Sequence, residues 1–257
     1  MKPNNNYTLY FNNQWLKAGQ IGHEFVEHAL HFKNGVSDEM RSYGYNGGPH
    51  VFKAKKYLEL LIAKAEDNGL FINYHIDELM NITYELLEKN HLINATIVPI
   101  IYLKDGETHF MISAKKAAPF TVRENLQLDE DLYSSILNIS SSGQINFCSE
   151  NPFFFIKDGI LYTPKVKEKE PTGIIRDTII ECAIALGYPV IEKNILISEI
   201  EGSEVVFFSN QTHEMSFIQR FKHFTFSKNW RDTMAMDLLM MFRQQATNED
   251  FRNYSII

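Results

Sequence analysis

The sequence predicts an α+β protein laid out in two blocks. Three observations carry the prediction. Apolar residues recur at helical spacing in four separate stretches, short apolar or alternating runs flank turn signals such as Asn-Asn and Asp-Gly, and most strands are joined as hairpins.

In chain order, Tyr7 to Leu16 reads as two short strands around Asn12-Asn13. Phe25 to Leu30 and Ser37 to Tyr45 read as extended, with a turn at Asn46-Gly47-Gly48. Ala54 to Asn68 reads as a helix, because Leu58, Leu61, Ile62 and Ala65 share one face and Gly69 suits a C-cap. His75 to Lys89 reads as a second helix with Leu79, Ile82 and Leu86 aligned. Asn94 to Leu103 and Thr108 to Ala114 read as strands paired around Asp105-Gly106.

The two blocks join in Phe120 to Ser142, which has no clear pattern; Leu132 to Leu137 reads as a short helix or a strand. The expected domains are 1–118 and 119–257. Ile145 to Ile156 and Ile160 to Thr163 read as strands around Lys157-Asp158-Gly159. Ile174 to Leu186 reads as a helix ended by Gly187, Val190 to Ile195 as a strand, Ile197 to Ile200 as a turn or helix, and Glu204 to Ser209 as a strand. Asn229 to Gln245 closes the chain as a helix with Trp230, Met234, Leu238, Met241 and Phe242 inward.

Composition narrows the function classes. The 257 residues are 44% hydrophobic and 22% charged, as in globular domains that bury a sizeable core. A net charge of −7 provides no overall basic field for nucleic acid or an anionic membrane. Lys53, Lys55 and Lys56 cluster, as do Lys165, Lys167 and Lys169, the latter interleaved with Glu168 and Glu170 as in a solvated loop. No stretch has membrane-span length, and the start lacks a signal-peptide core. Cys148 and Cys182 lie among apolar residues and read as buried reduced thiols, so a cytoplasmic protein is expected. His23, His28 and His31 are close in sequence, but no Cys or carboxylate completes a metal set, and none is expected.

Four segments in order carry a resemblance. His28-Ala-Leu-His31-Phe-Lys-Asn-Gly35-Val-Ser-Asp-Glu-Met-Arg41 is similar to HGLHYGxGVFEGIR, and Thr96-Ile-Val-Pro-Ile-Ile-Tyr-Leu to YIRPLVYLG. Cys148-Ser-Glu-Asn151-Pro-Phe-Phe-Phe-Ile-Lys-Asp-Gly159-Ile-Leu-Tyr-Thr-Pro164 is similar to EGSGENIFIVKDGVLYTP. Thr172-Gly173-Ile174-Ile175-Arg176-Asp177, running on to Ser209-Asn210, is similar to PGITRD…ADEVFFTGT. Together they resemble class IV (fold type IV) aminotransferases over nearly the whole chain. The resemblance implies a D-amino acid aminotransferase-like two-domain architecture, here with a shortened second domain. It also implies pyridoxal phosphate (PLP) held on a lysine, and a homodimer with aromatic contacts from Tyr10, Phe11, Phe32, Tyr43 and Tyr45.

The residues that hold and use PLP in that family are altered here. No lysine occurs from Ala117 to Ile156, where the resemblance places the Schiff-base lysine. Lys115 and Lys116 lie at about the right count but in a hairpin strand, so they read as exposed strand-end lysines or as a relocated Schiff base. In the resemblance an Arg one turn from a His clamps the phosphate, and the matching positions are Tyr57 and Leu60, neither of which neutralises it. The Arg that meets a substrate carboxylate matches Val98, and the carboxylate that pairs with the pyridine nitrogen matches Asn146. What remains is the helix start at Gly173, Ile174 and Ile175, with Ser209, as a residual phosphate site for a small anion; capping by Thr172 is the structural alternative. The expectation is a degenerate relative that binds no cofactor and serves as a binding or structural protein. The alternative is a PLP-dependent aminotransferase of branched-chain or D-amino acids, or an aminodeoxychorismate lyase.

Overall fold

The computed structural model describes residues 7–17, 19, 35–119, 122–128, 139–146, 152–166, 173–209, 214–221, 223–226 and 229–247. The chain divides into two compact units, Met1–Pro119 and Phe120–Ile257.

The first unit holds β1 (Thr8–Phe11), β2 (Gln14–Lys17), β3 (Gly35–Ser37), β4 (Met40–Tyr45), β5 (Gly48–Val51), helices α1 (Ala54–Asp67) and α2 (Ile76–Lys89), and the long strands β6 (Ala95–Lys104) and β7 (Glu107–Lys116). They make one antiparallel sheet in the order β2-β1-β7-β6-β4-β5, with β3 beside β6. Tight hairpins turn on Asn12-Asn13, Asn46-Gly47 and Asp105-Gly106, where φ is positive at both residues. That backbone matches the twist of the flanking strands, and Asn, Asp and Gly adopt it most easily. Gly35 is required for another reason: a Cβ there would lie 2.8 Å from the Tyr102 Cβ. Helix α1 buries Tyr57, Leu58, Leu61 and Ala65, and α2 buries Leu79, Ile82, Leu86 and Leu87. The first packs on β3, the second on β1 and β7.

The second unit holds β8 (Val122–Leu128), β9 (Gln144–Ile145), β10 (Phe153–Lys157), β11 (Ile160–Pro164), α3 (Ile174–Ala185), β12 (Val190–Lys193), β13 (Ile195–Leu196), β14 (Val205–Phe208), β15 (Met215–Phe221), β16 (Phe224–Thr225) and α4 (Met234–Thr247). Its main sheet runs β12-β11-β10-β14-β15-β16, with β8 parallel beside β15 and a small β9–β13 ladder apart. Strands β11 and β12 are parallel, joined through α3. Both faces of the sheet are covered, so β10 is apolar without alternation. Phe153 and Phe155 join a core with Leu126, Ile145, Val206 and Ile218. On the other side Phe154 stacks on Phe207 at 5.2 Å, and Phe217 on Trp230 at 4.2 Å.

Several expectations change. Strands β8, β15 and β16 were not anticipated. The single strand expected over Ile145 to Ile156 is two, because β9 ends at Ile145 and β10 begins at Phe153. The strand expected over Val190 to Ile195 breaks at Asn194 into β12 and β13, which pair with different partners. The last helix starts late: a 3-10 turn, Trp230–Asp232, precedes α4. Tyr10 and Tyr43 are buried, so they offer no exposed aromatic patch. Cys182 is buried and takes part in no disulfide among the described residues. The readings at Phe25 to Leu30 and Leu132 to Leu137, together with Phe32 and Cys148, lie outside the described residues. No helix among the described residues is long and apolar enough to cross a membrane.

Candidate functional site

One end of the second unit's sheet gathers several chain entries and exits. The Ser209 N–H donates to the Pro152 carbonyl at 3.1 Å, and Phe208 pairs with Phe153, so β14 leaves where β10 enters. The buried Thr163 hydroxyl donates to the Phe153 carbonyl at 2.9 Å, bringing the exit of β11 to the same place. Arg176 then ties α3 to that exit. Its guanidinium is 2% exposed, donates to the Pro164 carbonyl at 3.1 Å and pairs with Glu192 Oε2 at 2.6 Å. The first bond of the helix runs from Asp177 N–H to the Gly173 carbonyl. The N–H groups of Ile174, Ile175 and Arg176 therefore stand outside the helix's own ladder at this sheet end. Gly173, with φ 80°, makes the approach in a conformation that strains other residues.

Arg176 and Thr163 stood in segments read from the sequence, yet neither was given a role. The available signal was an arginine on the inner side of a helix, in line with Ile179 and Ala183; such a charge must be paired once buried.

A family model described as amino-transferase class IV matches residues 122–221. The "Probable branched-chain-amino-acid aminotransferase" of Rickettsia bellii is 27% identical over 234 residues, covering 73% of this chain and 79% of the relative. The branched-chain-amino-acid aminotransferase of Escherichia coli K12 is 24% identical over 255 residues, covering 81% and 82%. Over these residues the chain is similar to class IV aminotransferases. The fold agrees: the branched-chain aminotransferase of the archaeon Thermoproteus uzoniensis, solved with norvaline, superposes with TM-score 0.78 at 17% identity over 96% of both chains.

The cofactor that the similarity to class IV aminotransferases implies can be set against the side chains present. Lys115 and Lys116 are the last residues of β7, opposite Thr96 and Ala95, and both are exposed. They lie in the first unit, and neither is desolvated as a Schiff-base lysine must be. In the second unit, the Lys157 ammonium donates to the Glu201 carbonyl at 2.7 Å, Lys193 pairs with Glu199 at 2.5 Å, and Lys165 is exposed. Leu60, at the arginine position, is 42% exposed and offers no charge. Val98 packs beside Leu9, Ile100, Tyr102 and Met111. Asn146 is half-buried just past β9, while Glu150, Asn151 and Thr172 lie outside the described residues.

Ser209, expected beside a residual phosphate site, is held by its own neighbours. It is fully buried and its hydroxyl donates to the Glu214 carbonyl, so its one hydrogen is committed and none is left for a phosphate oxygen. Ile174 is buried and Ile175 half-buried; the Thr of the GIT motif is Ile175 here, and it has no hydroxyl. The backbone at Gly173, Ile174 and Ile175 keeps the donor geometry, but the side chains described do not fit a covalently held PLP. No metal-ligating group of side chains occurs among the described residues, and His23, His28 and His31 lie outside them.

Proposed function

We propose that this class IV aminotransferase relative no longer forms a Schiff base with PLP and serves as a binding or structural protein. The observation that carries this reading is the absence of lysine from Ala117 to Ile156, with Lys115 and Lys116 exposed at a strand end. Leu60 and the committed Ser209 hydroxyl support it independently, since each removes an anion-holding group. A residual anion site at the α3 N-terminus would then rest on backbone donors alone.

The test is incubation with PLP, borohydride reduction and mass spectrometry of the peptides. The expected result is scattered, substoichiometric labelling. A single stoichiometric pyridoxyl adduct on any lysine overturns the reading. It would favour the second one, an aminotransferase or aminodeoxychorismate lyase using PLP. That second reading draws on the branched-chain aminotransferases that align with most of this chain.

A further inference from the structure

The sequence holds three Asn-Gly pairs, Asn34-Gly35, Asn46-Gly47 and Asn68-Gly69. Such a pair carries its own electrophile and nucleophile. The side-chain amide carbon of Asn can close a five-membered ring onto the next backbone nitrogen, and glycine has no side chain to shield that nitrogen. Folding decides which pair is free to react.

At Asn68-Gly69 both partners are held. The Asn68 Nδ2 donates to the Lys64 carbonyl at 2.7 Å, and the Gly69 N–H donates to the Glu66 carbonyl at 2.9 Å. The N–H of the buried Leu70 donates to the Ala65 carbonyl at 2.9 Å and fixes the end of α1. Asn34 lies outside the described residues. Asn46 and Gly47 are different. They form the exposed two-residue tip of the β4–β5 hairpin, closed by the Tyr45–Gly48 pair. Neither the Asn46 side chain nor the Gly47 N–H makes a hydrogen bond to any described residue. A Cβ at Gly47 would meet nothing within 4 Å, so the nitrogen stands in open space. Among the described strands β5 pairs only with β4, so this tip can open without disturbing a third strand.

We propose that Asn46 is a site of spontaneous deamidation. The Gly47 nitrogen gives its proton to solvent hydroxide and attacks Asn46 Cγ. The new N–Cγ bond forms, the Cγ–Nδ2 bond breaks, and the Nδ2 group takes a proton from water and leaves as ammonia. The succinimide so formed takes up one water. Opening at Cγ gives aspartate; opening at the main-chain carbonyl gives isoaspartate, whose chain runs on through Cβ and Cγ. The net change is amide plus water to carboxylate plus ammonium, with nothing oxidised or reduced. The two products differ in what the turn allows. Aspartate suits it, since Asp105-Gly106 and Asp158-Gly159 turn with positive φ at both residues, as Asn46-Gly47 does. Isoaspartate puts an extra backbone carbon into a two-residue loop, and loop length sets the register of the strands it joins. The site belongs to the first unit and is independent of whether the second unit has lost its cofactor chemistry.

The test incubates the full chain at pH 8, once folded and once in urea, and follows the Asn46 and Asn68 peptides by mass spectrometry. The mass gain of an amide-to-acid exchange scores conversion, and fragmentation separates aspartate from isoaspartate. In the folded chain Asn46 should convert about tenfold faster than Asn68, whose two hydrogen bonds must break first. In urea the two rates should converge, because the difference lies in the fold. Amide exchange should find the β4–β5 ladder protected in Asn46→Asp and unprotected in chains carrying isoaspartate. Equal or faster conversion at Asn68 in the folded chain, a gap that persists in urea, or no conversion at Asn46 while the unfolded chain converts overturns the proposal.

Discussion

Arg176 and Glu192 pair at 2.6 Å although the arginine is 2% and the glutamate 47% exposed. The pair is lopsided: one charge is held inside the second unit and the other reaches water. Asp177, at 3.8 Å from the same guanidinium, adds a second negative charge. Arg176→Met should cost on the order of 3 kcal/mol, since it strips the buried contacts that tie α3 to β11. Glu192→Gln should cost about 1 kcal/mol or less, because solvent screens that end of the pair. Urea unfolding of the two variants measures the asymmetry, and equal costs would count against it.

Ser209→Ala should lower stability by about 1 kcal/mol, the usual contribution of one neutral internal hydrogen bond. The cost arises because the Ser209 hydroxyl holds the Glu214 carbonyl across the β14–β15 connection. The same substitution should leave sulfate or phosphate affinity unchanged. A clear loss of anion binding would restore Ser209 as a ligand.

The tautomer of His109 follows from its neighbour. Asn12 Oδ1 accepts the Phe110 N–H at 2.9 Å, so the amide nitrogen is the atom 2.6 Å from His109 Nδ1. That nitrogen donates, so Nδ1 must be the acceptor and the proton sits on Nε2. Nitrogen-15 NMR of the imidazole at pH 8 should show a protonated Nε2 and a bare Nδ1. The reverse pattern would mean that the Asn12 amide is turned round.

Glu124 and Arg231 give a pH signature. Arg231 donates to both carboxylate oxygens, at 2.6 and 2.7 Å, and this hydrogen bonding holds the Glu124 carboxyl below its usual range. The folded value lies below the unfolded one. The pair therefore stabilises above the ordinary glutamate titration near about 4.3, and the effect is lost as pH falls through the folded value. Both side chains are substantially exposed, so the contribution is at most about 1 kcal/mol. Glu124→Gln should be less stable than the parent at pH 7 and indistinguishable from it near pH 2. A gap that persists in acid would assign the effect to packing.

Assembly is a further expectation, carried by the resemblance rather than by the surface. Light scattering at micromolar concentration should give the mass of a homodimer. A monomer mass would end that reading. Tyr10 and Tyr43 would not supply the contacts, since both are buried.

Elements were legible where a short-range signal fixes them. The hairpins at Asn12-Asn13, Asn46-Gly47 and Asp105-Gly106 declare themselves because their residues suit positive φ, and α1 and α2 because apolar residues fall on one stripe. Strand β8 was not legible. Its Val-Arg-Glu-Asn-Leu-Gln-Leu carries an Asn at φ 56° and acquires a partner only from β15, far along the chain. Strand β15 escaped for the opposite reason: its first four residues are all buried, which leaves no alternation to read. At the site, motif order placed Gly173, Ile174 and Ile175, but sequence spacing does not say where a hydroxyl points. The commitment of Ser209 to Glu214 and the burial of Arg176 depend on contacts that only the folded chain makes.

The pairing of β8 with β15 joins Gln127 to Arg220, 93 residues apart. A ribosome emits β8 long before β15 exists. By then the first unit is complete, since its last strand ends at Lys116. The second unit must instead keep Leu126 and Leu128 waiting, apolar and unpaired, until β15 has been made. Truncation before Met215 would therefore leave a folded first unit attached to a sticky, unfinished second one, a natural substrate for chaperones.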